Sequence, residues 1–235
     1  MAEVKDKKLD VRVYPIVNPK GDTKAFASVA VDDTVAIRNL RVVDSKKGPF
    51  VVMPQSQNKM EEYHDIVFLE SGDLRKAVSR AVLAEYKVQA NLHPDQRGYE
   101  KSDMGATRDI NAEDINLDIR VYPLDAPQGS TQAFASVGIE GVGTIRGIRV
   151  VDSEKGPFVS MPQSQDNEGL FHDIAFPLSG DLRKEISKGV LEKFEAAKSV
   201  DRKPSLGDRL AVGADKAAEH ISPDRVAKTR PGVLE

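Results

Sequence analysis

At 235 residues the chain has room for one or two small domains. Hydrophobic residues at 40% and charged residues at 30% exclude wholesale disorder, and the absence of cysteine excludes disulfides, thiolate metal sites and a cysteine nucleophile. A formal net charge of -3 supplies no overall attraction for nucleic acid, and no stretch approaches the roughly 20 apolar residues of a membrane span.

The opening residues, MAEVKDKKLD, hold no apolar leader, so the expected compartment is the cytoplasm. Residues 10–15, DVRVYP, read as a short strand stopped by Pro15, with a turn around residues 18–21. AFASVAV alternates Ala25, Ala27, Val29 and Val31 with Phe26, Ser28 and Ala30, the period of a half-buried strand. Asp32 and Asp33 punctuate a hairpin. In VAIRNLRVVD, Val35 and Ile37 share one parity while Leu40 and Val42 share the other, and a bulge near Asn39 restores one apolar face. FVVMP is a fourth strand closed by Pro54, residues 55–57 fall in a polar loop, and HDIVF is a fifth strand. A helix follows over residues 71–86. Ser71 is its N-cap, Asp73 favours the dipole in the first turn, and Leu74, Val78, Ala81, Val82 and Tyr86 form its apolar stripe.

From residue 10 to residue 118, an offset of 108, the chain then repeats itself. DVRVYP returns as DIRVYP, KGPFVVMPQSQ at 47–57 returns as KGPFVSMPQSQ at 155–165, and AFASV, RVVDS, HDI and SGDLRK recur without a gap. More than half of the aligned positions are identical, so both copies should share one fold. Gly147 stands where Asn39 does, as a bulge requires. Ser179, Asp181, Leu182, Ile186, Val190 and Phe194 rewrite the helix. The predicted organisation is an N-terminal extension (1–9), a first repeat (10–87), a polar linker (88–117), a second repeat (118–196) and a polar tail (197–235) with a short helix near 215–220. Each repeat is a small antiparallel β-sheet followed by a C-terminal helix that lies on it, an α+β arrangement.

This ordered set, DVRVYP, AFASV, the I-R and R-V-V-D pair, G-P-F-V-x-M-P, then H-D-I and a terminal helix, resembles the stage V sporulation protein G family, also called septation protein G. The resemblance covers both copies, about two thirds of the chain. It implies a bacterial cytoplasmic protein that pairs through its sheet and binds DNA or RNA as a regulator of gene expression and cell division. The tandem copies would then form that pair within one chain as a pseudo-dimer, with further homo-oligomers left open. The chain departs from the pattern at Gln55-Ser56-Gln57 and Gln163-Ser164-Gln165, where the family places basic loop residues, and at His64 and His172, where it often has arginine. Phosphate attraction there should be weaker.

The candidate nucleic-acid contacts are cations present in both copies: Arg41 with Arg149, Lys47 with Lys155, Arg75 with Arg183, Lys76 with Lys184, and Arg80 with Lys188. The helical ones fall off the apolar stripe, where they can touch phosphates or simply be solvated. Arg12 with Arg120 and Arg38 with Arg146 are likewise basic in both copies. Residues 10–87 hold twelve Lys plus Arg against eleven Asp plus Glu, and residues 118–195 hold eight against twelve, so the first copy is the better partner for an anion. The rival expectation is a protein-interaction module that retains the paired scaffold without nucleic-acid binding. The pairs His64-Asp65 and His172-Asp173 lack the three or four ligands of a metal site, and no G-x-S-x-G, phosphate-cradling loop or H-E-x-x-H occurs. No cofactor and no catalytic role are expected.

Overall fold

The computed structural model describes residues 7–57, 61–96, 115–166 and 168–201. Both copies lie within one compact unit, Met1–Ala197. The first copy runs β1 (Leu9–Pro15), β2 (Thr23–Val31), β3 (Val35–Val43), β4 (Phe50–Val52), β5 (Gln55–Gln57), β6 (Tyr63–Asp65), β7 (Val67–Leu69) and α1 (Gly72–Asn91). The second runs β8 (Leu117–Gln128), β9 (Thr131–Ile139), β10 (Gly143–Val151), β11 (Phe158–Ser160), β12 (Gln163–Gln165), β13 (Phe171–Asp173), β14 (Ala175–Pro177) and α2 (Gly180–Asp201). The tandem α+β repeat read from the sequence is what the chain builds.

The first three strands of each copy form an antiparallel meander, β1-β2-β3 and β8-β9-β10, with β4 on β3 and β11 on β10. The bulge in β3 falls at the parity break. Ala27 pairs with Leu40 but Val29 pairs with Ile37, and Asn39 sits at φ 60. Gly147 takes φ 75 at the same place in β10, where the register slips between Ile145 and Ile148. A left-handed residue inside a strand is what a bulge of this kind needs, and Asn and Gly adopt it at least cost.

The fifth strand differs from expectation. HDIVF does not form one strand within its own copy but breaks at Ile66. The Ile66 amide donates to the Pro54 carbonyl of its own copy at 2.8 Å, while its carbonyl accepts from the Arg146 amide of the other at 2.8 Å. Beyond that switch β7 leaves its copy and pairs with β10, Val67 opposite Ile145. Ile174 does the same in reverse, donating to Pro162 and accepting from Arg38, and β14 pairs with β3, Ala175 opposite Ile37. The two registers are the same once the 108-residue offset is applied. This is the reciprocity of an isologous, pseudo-twofold interface inside one chain. Residues 55–57 and 163–165, expected as loops, are strands β5 and β12, paired with β6 and β13.

One face of each sheet is buried beneath its helix. Val13, Ala27, Val29, Leu40 and Val42 lie under Leu74, Val78 and Val82, and Val137, Ile148 and Val150 pack with Leu182, Ile186, Val190 and Phe194. The exchanged Val67 and Ala175 are fully buried, so the two cores merge into one hydrophobic cluster. Burying each Val, Leu or Ile is worth about 1.5–3 kcal/mol, which offsets the small size of each unit taken singly. Ser71 Oγ caps α1 by accepting from the Leu74 amide at 3.0 Å, and Ser179 caps α2 through Leu182 at 3.4 Å.

Three boundaries move. Helix α1 continues past residue 86 to Asn91, shortening the expected linker, and stops at an extended Leu92 two residues before Pro94. Helix α2 runs to Asp201, past the expected start of the tail at 197. Strand β8 passes through Pro123 to Gln128, because it lies at the sheet edge where a missing amide costs no ladder bond. Most of the linker, and the helix expected near 215–220, lie outside the described residues. No described helix is long and apolar enough to cross a membrane.

Candidate nucleic-acid interface

The predicted cations divide between two sides of each sheet. On the helix side, Arg75 reaches back to Asp65 at 3.1 Å, and Arg183 to Asp173 at 2.8 Å. The other oxygen of each carboxylate accepts from Gln55 at 3.0 Å or Gln163 at 2.9 Å. A helix arginine, a strand carboxylate and a strand amide thus tie α1 to β5 and β6, and α2 to β12 and β13. These arginines hold the fold together as well as facing water. Lys76 pairs with Asp73 at 3.1 Å and Lys184 with Asp181 at 2.8 Å, both largely exposed. The Asp181 hydrogen bond, and then its charge, raise the Lys184 amine above its ordinary value. Exposed i,i+3 pairs of this kind are worth little in water. Arg80 and Lys188 are exposed, and no ion pair engages them among the described residues.

Lys47 and Lys155 project from turns closed by serine. Ser45 Oγ donates to the Gly48 carbonyl at 2.7 Å and Ser153 Oγ to that of Gly156 at 2.7 Å, with both glycines at φ 104. Arg41 and Arg149 stand on the opposite side from the helices, half-buried on the open faces of the sheets.

These open faces hold the residues that a reading based on charge alone passes over. Tyr14 pairs with Phe26 across β1 and β2, and Phe26 with Arg41 across β2 and β3. Tyr122, Phe134 and Arg149 repeat the row in the second copy. The signal was present in the alternation itself: the parity that sends Ala25, Ala27 and Val29 inward sends Phe26 outward in both copies. Two further arginines lie here. Arg38 stacks 4.7 Å from the ring centre of Phe176, and Arg146 4.1 Å from that of Phe68, each reaching a strand donated by the other copy.

The interlocking of the copies also makes a groove of 560 Å³. Phe26, Arg38, Arg41 and Tyr63 line it from the first copy, and Ser164, Asp166 and His172 from the second. Asn39 crosses the seam to donate to Ser164 Oγ at 2.7 Å. His172 Nε2 lies 2.7 Å from Asp166, whose carboxylate also accepts from the amides of Leu170 and Glu168. That histidine contact above all, with the amides behind it, holds the Asp166 carboxyl below the ordinary range. On the second copy a hollow of 510 Å³ holds Arg120, Tyr122, Phe134 and Arg146, where Arg120 pairs with Asp118 at 2.7 Å as Arg12 does with Asp10 at 3.7 Å in the first copy. Among the described residues no three His, Asp or Glu side chains cluster as metal ligands would.

Fold and site together define a tandem α+β protein: two sheet-and-helix units interlocked by reciprocal strands, with grooves on the open side of the sheets. The family model described as SpoVG matches residues 7–88 and again residues 115–196, and the chain belongs to that family. The relatives described next each match over about the length of one copy. A protein of Clostridium perfringens named "Putative septation protein SpoVG" is 32% identical over 84 residues, 36% of this chain and 92% of its own length. Proteins of the same name from Caldanaerobacter subterraneus and Myxococcus xanthus are 36% identical over 81 residues and 35% over 89. These cover 34% and 38% of this chain and 88% and 86% of the relatives.

Proposed function

We propose that this protein is a non-catalytic regulator acting in septation, and that it binds DNA or RNA in the cytoplasm through the paired copies. The groove across the seam carries this reading. Arg38 and Arg41 enter it from one copy and His172 and Ser164 from the other, so its polar and cationic wall is complete only when the copies interlock. Half-buried arginines there are less screened than surface lysines, and a guanidinium offers a planar fork to phosphate. The role in septation comes from the name the relatives bear. Arg75 becomes a secondary contact, because it already holds the Asp65 carboxylate within the fold.

Fluorescence anisotropy with labelled DNA and RNA in a salt series tests the proposal. Binding at about 50 mM salt that weakens steeply with added salt is expected, since released counterions drive phosphate contacts. Arg41→Ala with Arg149→Ala should flatten the slope more than Arg75→Ala with Lys76→Ala and Arg80→Ala. Absence of binding at low salt would overturn the proposal in favour of a protein-interaction module. The second copy's eight Lys plus Arg against twelve Asp plus Glu would suit that alternative.

A further inference from the structure

The open faces carry a ligand class as well as a charge. Tyr14 and Phe26 are each 45% exposed, and Tyr122 and Phe134 are 56% and 37% exposed. Large aromatics with this much exposed surface recur at matching positions of both copies, on the side of the sheet away from the helix-covered core. Each pair is directly cross-strand, and each row ends on an arginine, Arg41 or Arg149.

We propose that each row is a stacking platform for single-stranded nucleic acid, with bases lying on the tyrosine and phenylalanine rings and the arginine holding the adjoining phosphate. This deepens the nucleic-acid reading above and rests on it. The chemistry selects the single strand. Stacking on a ring needs a base whose own face is free, and within a duplex those faces are already covered by neighbouring bases. Stacking on aromatics tolerates any base, so discrimination between sequences is weak. The first copy is the stronger platform: its charge balance is slightly positive, whereas the second copy has an acidic excess.

The test uses the full chain with a labelled mixed-sequence 12-nucleotide single strand, as RNA and as DNA, and the duplex of the same sequence. Single strands should bind more tightly than the duplex. Tyr14→Leu with Phe26→Leu should weaken single-strand binding about tenfold or more while leaving the salt slope intact, because each stacked base is lost without loss of charge. Tyr122→Leu with Phe134→Leu should weaken it less. Duplex binding equal to or tighter than single-strand binding, or an unaffected double variant, would overturn the platform and leave the broader reading standing. Failure of both forms to bind would remove that broader reading and the platform with it. The chain has no tryptophan, so Phe26→Trp supplies a second readout that needs no destabilising truncation. Its emission should be quenched on adding the single strand, and unchanged emission at saturation would count against stacking there.

Discussion

Arg146 sets its guanidinium 4.1 Å from the centre of the Phe68 ring, so a bulge residue of the second copy covers an aromatic on the strand donated by the first. Arg38 and Phe176 repeat the contact at 4.7 Å. The two rings differ in burial, Phe176 being 8% exposed and Phe68 36%. Phe176→Ala should therefore cost about 3 kcal/mol or more, the toll of a core cavity. Phe68→Ala should cost about 1 kcal/mol, mostly the cation–π contact and part of the ring's burial. Urea denaturation separates the two, and equal losses would contradict the asymmetry.

Gly143 lies opposite Leu69, where the exchanged strand meets its host. It sits at φ 136, and a Cβ there would fall 2.1 Å from the Phe68 carbonyl oxygen and 2.8 Å from the Glu70 amide nitrogen. Both are backbone atoms of the β7 segment and cannot rotate away. Gly143→Ala should destabilise by roughly 2 kcal/mol or more, combining backbone strain with overpacking. Hydrogen exchange should show the loss concentrated at β7 and β10, and an unchanged protection pattern there would contradict the register.

Gly189 illustrates a compensation between the copies. A Cβ on it would lie 2.5 Å from Ile119 Cδ1, the tip of a side chain on β8. The matching positions of the first copy hold Ala81 and Val11, one carbon more on the helix and one fewer on the strand. Gly189→Ala alone should change stability little, because a gain of about 1 kcal/mol in helix propensity is offset by crowding. In an Ile119→Val background, which removes Cδ1, the same change should stabilise by about 1 kcal/mol. A double-mutant cycle by thermal or urea unfolding measures the coupling, and additive effects would contradict it.

Asp166, on the groove wall, is a carboxylate whose titration is set by its neighbours. His172 and the amides of Leu170 and Glu168 hold its carboxyl below the ordinary value in the folded chain. The sign follows from linkage. A lowered folded value contributes stability at pH above the ordinary carboxylate range, and that contribution is lost as pH falls through the lowered value. His172→Ala should move the Asp166 titration upward, toward the ordinary value, in a carbon-detected NMR titration. A midpoint unmoved by the substitution would show that the histidine is not the main cause.

Much of this architecture is legible in the sequence. The parity break in VAIRNLRVVD marked the bulge at Asn39, and Ser71 followed by an apolar stripe marked α1. The destination of β7 was not legible, because alternation says that a strand is half-buried and not which edge it joins. Ile66 changes partner through its own backbone bonds, and nothing in its side chain announces this. The site was half visible in the same way. The cations could be counted from the sequence, but Asp65 becomes the partner of Arg75 only once β6 and α1 meet. Phe26 stood on the outward parity throughout, and weighing aromatics together with charges would have found the open face.

The pairing of the two copies within one chain is tested most directly by a cross-link between Phe68 and Thr144, direct partners across β7 and β10. Facing residues of adjacent antiparallel strands lie about 4.5–5.5 Å apart at Cα, within disulfide reach. No native cysteine competes. On oxidation, Phe68→Cys with Thr144→Cys should close quantitatively within the monomer, giving a faster band on a non-reducing gel and one linked peptide pair by mass spectrometry. Thiols that stay free, or that link only between separate chains, would contradict a pair formed inside one molecule.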